Sequence, residues 1–194
     1  MFESIIPLIA FAFVTTFTPG PNNLMLMTSG ANIGFIRSLP HVFGVVFGFG
    51  FMVFLVGLGA SEVFAFFPWL HPLLSFACMG YLLFLAYKIA TSNPNLATQQ
   101  YQPMRFVSAM MFQWVNPKSW SMALTAVSVY NPSASGSGLV LVTAVFMLVN
   151  FPSTTAWVVA GKKVRGWLTH EYAIRRFNWA MALLLLFSTL PVMF

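Results

Sequence analysis

The residues able to do chemistry fall into two short motifs. Thr18-Pro19-Gly20-Pro21-Asn22-Asn23 interrupts the first apolar stretch, and Asn116-Pro117-Lys118 interrupts the fourth. A proline inside a helix removes a backbone donor and clashes with the preceding turn. Two prolines around a glycine therefore predict a broken helix at 18–23, although a lone proline in such a helix can be a mere packing kink. At the break, carbonyls of residues 15–18 lose their partners, and so do the amides that follow. Free amides opening a half-helix carry partial positive charge and suit a carboxylate. Free carbonyls and asparagine side chains suit an ammonium. Two facing breaks would thus cradle a molecule carrying both groups on one carbon, as an amino acid does. Two roles fit Lys118: binding a substrate carboxylate, or exchanging a proton. A third interruption is expected at Asn150-Phe151-Pro152-Ser153-Thr154, whose amide and hydroxyls would line the same cavity. The alternative there is a kink with Ser and Thr bonded back to helix carbonyls. The candidate substrate-binding residues are Thr18, Pro19, Gly20, Pro21, Asn22, Asn23, Asn116, Pro117, Lys118 and Asn150.

The elements that must hold these residues follow from composition. Of 194 residues, 59% are hydrophobic and only 6% are charged. A soluble domain carries about 25% charged residues, and nine Lys/Arg with three Asp/Glu do not keep this surface wet. The mean hydropathy of +0.82 agrees. The chain is solvated mainly by lipid, which excludes a soluble enzyme and a disordered chain. About 20 apolar residues cross a bilayer as helix. Six spans satisfy this: 4–27, 38–61, 63–87, 106–129, 138–161 and a short 177–193. The stretch 91–104 is polar and reads as a loop, and 130–137 has turn chemistry. A β-barrel would need segments of about 10 alternating residues, which these continuous runs are not. The fold class is therefore an all-α polytopic membrane protein in a single domain over 1–194.

Eight of the nine basic residues mark one face. Arg37, Lys88, Arg105, Lys162, Lys163, Arg165, Arg175 and Arg176 all fall between odd and even spans, while 59–69 and 130–137 have none. The positive-inside rule puts those loops in the cytoplasm and both termini outside. Lys118 is the exception. A cation at mid-membrane costs about 2.5 to 3.5 kcal/mol on insertion scales, and Lys118 lies too far from either helix end to snorkel. It must face a water-filled cavity or a carbonyl cluster. Pro19 and Pro117 align at an offset of 98 residues, which also carries the second span onto the fifth and the third roughly onto the sixth. That pattern predicts two three-helix repeats, about 1–90 and 104–194, the second inverted, as in many secondary transporters.

The remaining residues carry weaker signals. Cys78 has no thiol partner and reads as a small hydrophobe in an apolar run. His41 and Glu62 stand near opposite ends of the second span, where interfacial placement is favoured over a proton relay. The glycines at 44, 48, 50, 57 and 59 allow close helix contact within the chain, and a homodimer is a second use for them. Residues 164–176 suggest an interfacial helix whose basic residues set topology rather than bind nucleic acid. No cofactor or metal site is expected. An enzyme would need a nucleophile with a base, which three acids and three scattered histidines do not assemble. Other readings are an exporter of another small solute, a metal-ion exporter and a membrane scaffold. The metal reading would want Cys, His or carboxylates within the spans.

TPGPNN at 18–23, GYLLFLAYK at 80–88 and NPKSW at 116–120 together resemble the LysE/RhtB family of amino-acid exporters over essentially the whole chain. The resemblance implies a bacterial inner-membrane protein that exports amino acids or their derivatives, driven by the proton gradient. It implicates Thr18, Pro19, Gly20, Pro21, Asn22, Asn116, Pro117 and Lys118 by motif. The subgroup looks most like exporters of small neutral amino acids such as cysteine, O-acetylserine, homoserine or threonine. Scarcity of intramembrane acids argues against a cationic substrate.

Overall fold

Helices make up nearly all of the chain that a computed structural model describes, namely residues 5–60, 66, 67, 69–91, 104–167 and 170–187. Glu62, most of 91–104, the end of the sixth span and both termini lie outside the described residues, as does the side chain of Cys78. The elements are α1 (Ile5–Phe17), α2 (Pro21–Leu55) with a π-turn at Val56–Ala60, and α3 (Leu70–Ala90). After these come α4 (Phe106–Phe112), a 3-10 turn (Gln113–Val115), α5 (Pro117–Tyr130), α6 (Gly136–Arg165) and α7 (Glu171–Phe187). Most are rich in apolar residues, and α2 with its π-turn and α6 are each long and apolar enough to cross a bilayer. The first span is divided: α1 stops at Phe17 and helix resumes at Pro21.

The long α2 is a hairpin of two arms. Gly34 sits at φ 78°, ψ −178°, a backbone that side chains other than glycine rarely adopt. Ser29 and His41 are 12 residues apart, about 18 Å along a straight helix. Their Oγ and Nδ1 atoms are 3.1 Å apart, so the chain folds back at Gly34. The first arm and the second arm then sandwich backbone-close contacts with α6. A Cβ on Gly30 would meet the Val158 carbonyl, and one on Gly161 would meet the Met27 carbonyl. Gly50 and Gly57 face Met147 and Leu139 further along α6. α4 packs on the second arm through Gly44 and Gly48, α1 lies along α6, and α3 pairs with α7.

Phe49, Met52, Val53, Val142 and Phe146 form one buried core between the second arm and α6, reached by Leu8 and Ala12 of α1. A second core joins Leu24 and Met25 to Leu82, Leu85, Phe112 and Leu185. The Arg165 guanidinium donates to the Asn32 carbonyl at 3.2 Å, which sets the basic end of α6 beside the tip of the α2 hairpin.

Two expectations need correction. Pro152 does not break the fifth span, because α6 runs unbroken from Gly136 to Arg165. One missing donor is tolerable in a membrane helix. Thr154 Oγ1 bonds back to the Asn150 and Phe151 carbonyls at 2.8 and 2.9 Å, the alternative arrangement for this segment, while the carbonyl four residues before Pro152 is that of Leu148. No separate interfacial helix occupies 164–176, since α6 already takes in Arg165 and α7 begins at Glu171. His41 is fully buried within the chain, because the hairpin folds the first arm over it.

Candidate functional site

The two proline-containing interruptions face each other across a pocket of about 330 Å³, counting its open mouth. At the first one, Pro19 and Pro21 have no N–H to offer the carbonyls four residues back. Side chains take over. Thr18 Oγ1 donates to the Thr15 carbonyl at 2.9 Å, the group that Pro19 leaves without a helical partner. Asn23 Nδ2 donates to the carbonyls of Thr16 and Thr18 at 2.7 and 2.8 Å. Ser153 Oγ, from α6, reaches the Thr16 carbonyl at 2.8 Å. Gly20 is fully extended, at φ −173° and ψ 176°, and α2 begins after it with no side-chain cap. The first ladder bond there is Leu24 N–H to the Gly20 carbonyl at 3.0 Å. The Asn22 and Asn23 amides precede it and have no internal acceptor among the described residues.

At the second interruption, α4 tightens into the 3-10 turn and Asn116 adopts an extended backbone before Pro117 opens α5. Asn116 caps that helix with its own side chain, Oδ1 accepting from the Lys118 amide at 3.1 Å. The α5 start is thus satisfied internally, unlike the α2 start.

Lys118 joins the two. Its Nζ donates to the Thr18 carbonyl at 2.8 Å, to Thr18 Oγ1 at 2.9 Å and to the Pro19 carbonyl at 3.3 Å. The ammonium therefore sits at the carbonyl end of α1, the negative end of that helix dipole. Space for it exists because residue 20 is glycine: a Cβ there would lie 2.8 Å from Lys118 Cδ and 3.1 Å from Nζ.

Of the residues expected from sequence, Gly20, Pro21, Asn22, Asn23, Asn116, Lys118 and Asn150 line the pocket. Thr18 and Pro19 stand behind it as partners of Lys118, and Pro117 starts α5 outside the lining. Asn150 is 6% exposed, and its side-chain amide has no hydrogen-bond partner among the described residues. One expectation changes. Of the carbonyls of residues 15–18, which were to receive an ammonium, those of Thr15, Thr16 and Thr18 are already engaged by the chain's own donors, as is that of Pro19. Phe17, four residues before Pro21, lies outside the pocket lining.

Sequence reading missed Gln113. It is fully buried and makes a two-way amide pair with Asn22, Nδ2 to Oε1 at 2.8 Å and Nε2 to Oδ1 at 3.2 Å. Ser119 Oγ donates to the same Oε1 at 3.0 Å. Gln113 thus ties the start of α2 to both sides of the second interruption. Thr15, Thr16, Phe49, Ser119 and Met122 complete the lining, and Phe49 with Met122 gives it an apolar wall. Gln113 stands three residues before the Asn-Pro-Lys motif, a glutamine in an otherwise apolar run, and that was the only signal available.

Comparison with known proteins gives a consistent result. A family model described as LysE type translocator matches residues 13–191. The cysteine/O-acetylserine efflux proteins of Escherichia coli strain K12 and of Shigella flexneri serotype 5b are each 30% identical over 187 residues. Those alignments cover 95% of this chain and 94% of the relative. The protein of the same description in Escherichia coli O157:H7 matches to the same extent. No solved structure matches the chain.

Proposed function

The chain belongs to the LysE type translocator family, and from that premise we propose that it exports small neutral amino acids or close derivatives across the bacterial inner membrane. The family is one of transporters, not enzymes. The observation that carries the reading is Lys118, a cation placed by a proline break at the wall of a pocket shared by both halves of the chain. Thr18 to Asn23, Asn116 to Lys118 and Asn150 serve as the substrate site. In this reading α1 to α3 and α4 to α7 are two inverted repeats that rock about the pocket, both termini face outward, and the proton gradient drives export. The cysteine/O-acetylserine relatives support a small, uncharged side chain, as does an apolar wall of Phe49 and Met122.

The test is expression in cells fed dipeptides, with free amino acids measured outside. A small neutral amino acid accumulates in the medium above the empty-vector level. Lys118→Met returns the level to that of the control while the protein remains in the membrane. Full export by Lys118→Met removes the lysine from the mechanism, and accumulation of no amino acid removes the exporter reading.

A further inference from the structure

We infer that this pocket recognises its substrate through the carboxylate, the α-ammonium being dispensable, so that 2-hydroxy carboxylates are ligands alongside amino acids. The inference deepens the exporter reading and rests on it.

Donors and acceptors at the pocket are unequal. On the donor side are the two uncapped amides that open α2, at Asn22 and Asn23, and the positive end of that helix dipole. Lys118 stands beside them, and a carboxylate reaches its ammonium by displacing the Thr18 hydroxyl, the one side-chain ligand on Nζ. Charge-assisted bonds of this kind are about twice as strong as neutral ones. The acceptor side has nothing comparable. No Asp or Glu is among the lining residues described. The carbonyls of Thr15, Thr16, Thr18 and Pro19 are engaged by Asn23, Ser153, Thr18 and Lys118, and Phe17, whose carbonyl Pro21 frees, is not in the lining. Asn116 Oδ1 is held by the Lys118 amide, and Asn22 Oδ1 by Gln113. The amide oxygens left open are those of Asn23 and Asn150, both neutral, and Asn150 is buried at the pocket with no partner of its own. A neutral amide oxygen accepts from a hydroxyl as well as from an ammonium. The site therefore has a strong reason to hold a carboxylate and only a weak one to demand a second cation beside Lys118.

Everted membrane vesicles carrying the full chain, with empty-vector vesicles as control, are assayed for uptake of labelled L-cysteine. L-serine, L-glycerate and L-serine methyl ester compete. Serine and glycerate inhibit at concentrations within about tenfold of each other, the range that one neutral hydrogen bond spans. The ester, lacking the carboxylate, is more than about tenfold weaker than either. Inhibition by serine without glycerate overturns the inference and leaves the exporter reading standing, and so does an ester as effective as serine. If no chain-dependent uptake occurs, the exporter reading has failed for this probe, and thermal unfolding of the purified protein decides. L-glycerate then raises Tm, its methyl ester does not, and Lys118→Met loses the shift. A shift absent for glycerate, or equal for the ester, overturns the inference.

Discussion

At the residue scale, the site depends on what is missing at position 20. The Lys118 side chain lies where a Cβ would be, so Gly20→Ala pushes it off the Thr18 and Pro19 carbonyls. The far end of a lysine moves cheaply, so little stability is lost. Gly20→Ala is expected to express and insert normally and to lower export at least about tenfold, the cost of losing one charge-assisted bond of roughly 1.5 kcal/mol or more. Export at the normal rate would show that the position of the ammonium is unimportant. Proline and lysine were legible in the sequence because their chemistry is local: a missing N–H and a charge in an apolar run announce themselves. Gln113 was not, since its importance lies in Asn22, 91 residues away. The ammonium half of the cradle was misjudged for a related reason. Proline predicts which carbonyls are freed, but only the folded chain shows that Thr18, Asn23, Ser153 and Lys118 return to the carbonyls of Thr15, Thr16 and Thr18.

At the element scale, the decisive contact is between the first arm of α2 and α6. Gly30 and Gly161 bring backbone against backbone, so no rotamer change can make room for a methyl group. Gly161→Ala and Gly30→Ala are each expected to destabilise by about 1–3 kcal/mol through overpacking. The double variant should cost less than the sum, because one separation of the helices relieves both. Thermal unfolding in detergent checks this, and strictly additive shifts would mean that the two glycines do not share one interface. That the described chain is helical was readable from apolar length alone. The joins between helices were not: Gly34 closes the α2 hairpin without a polar loop, and this is why His41, near a span end in sequence, is buried in the fold. Pro152 was overread because one proline removes a single donor and need not end a long apolar helix, and Thr154 bonds back to that helix rather than opening a break.

At the scale of the whole molecule, the fold gathers basic residues at one end. Arg165 meets the α2 hairpin tip, so Arg37 and the basic end of α6 share one end of the bundle. A single cysteine at Ala134, in the turn before α6, is expected to react with an impermeant thiol reagent in intact cells. One at Lys163, exposed at the basic end of α6, is expected to stay unreacted, with Cys78 replaced by Ser in both cases; the reverse pattern inverts the topology. The bonds of Lys118 have a last consequence, for the cycle rather than the site. With Thr18 and Pro19 as ligands, the ammonium is solvated by groups of the chain itself. An unloaded carrier then has no bare charge to carry through its turnover, so its return step needs no passenger. The protein should run net efflux at nearly the rate of exchange, and substrate added to the far side of proteoliposomes should accelerate release little.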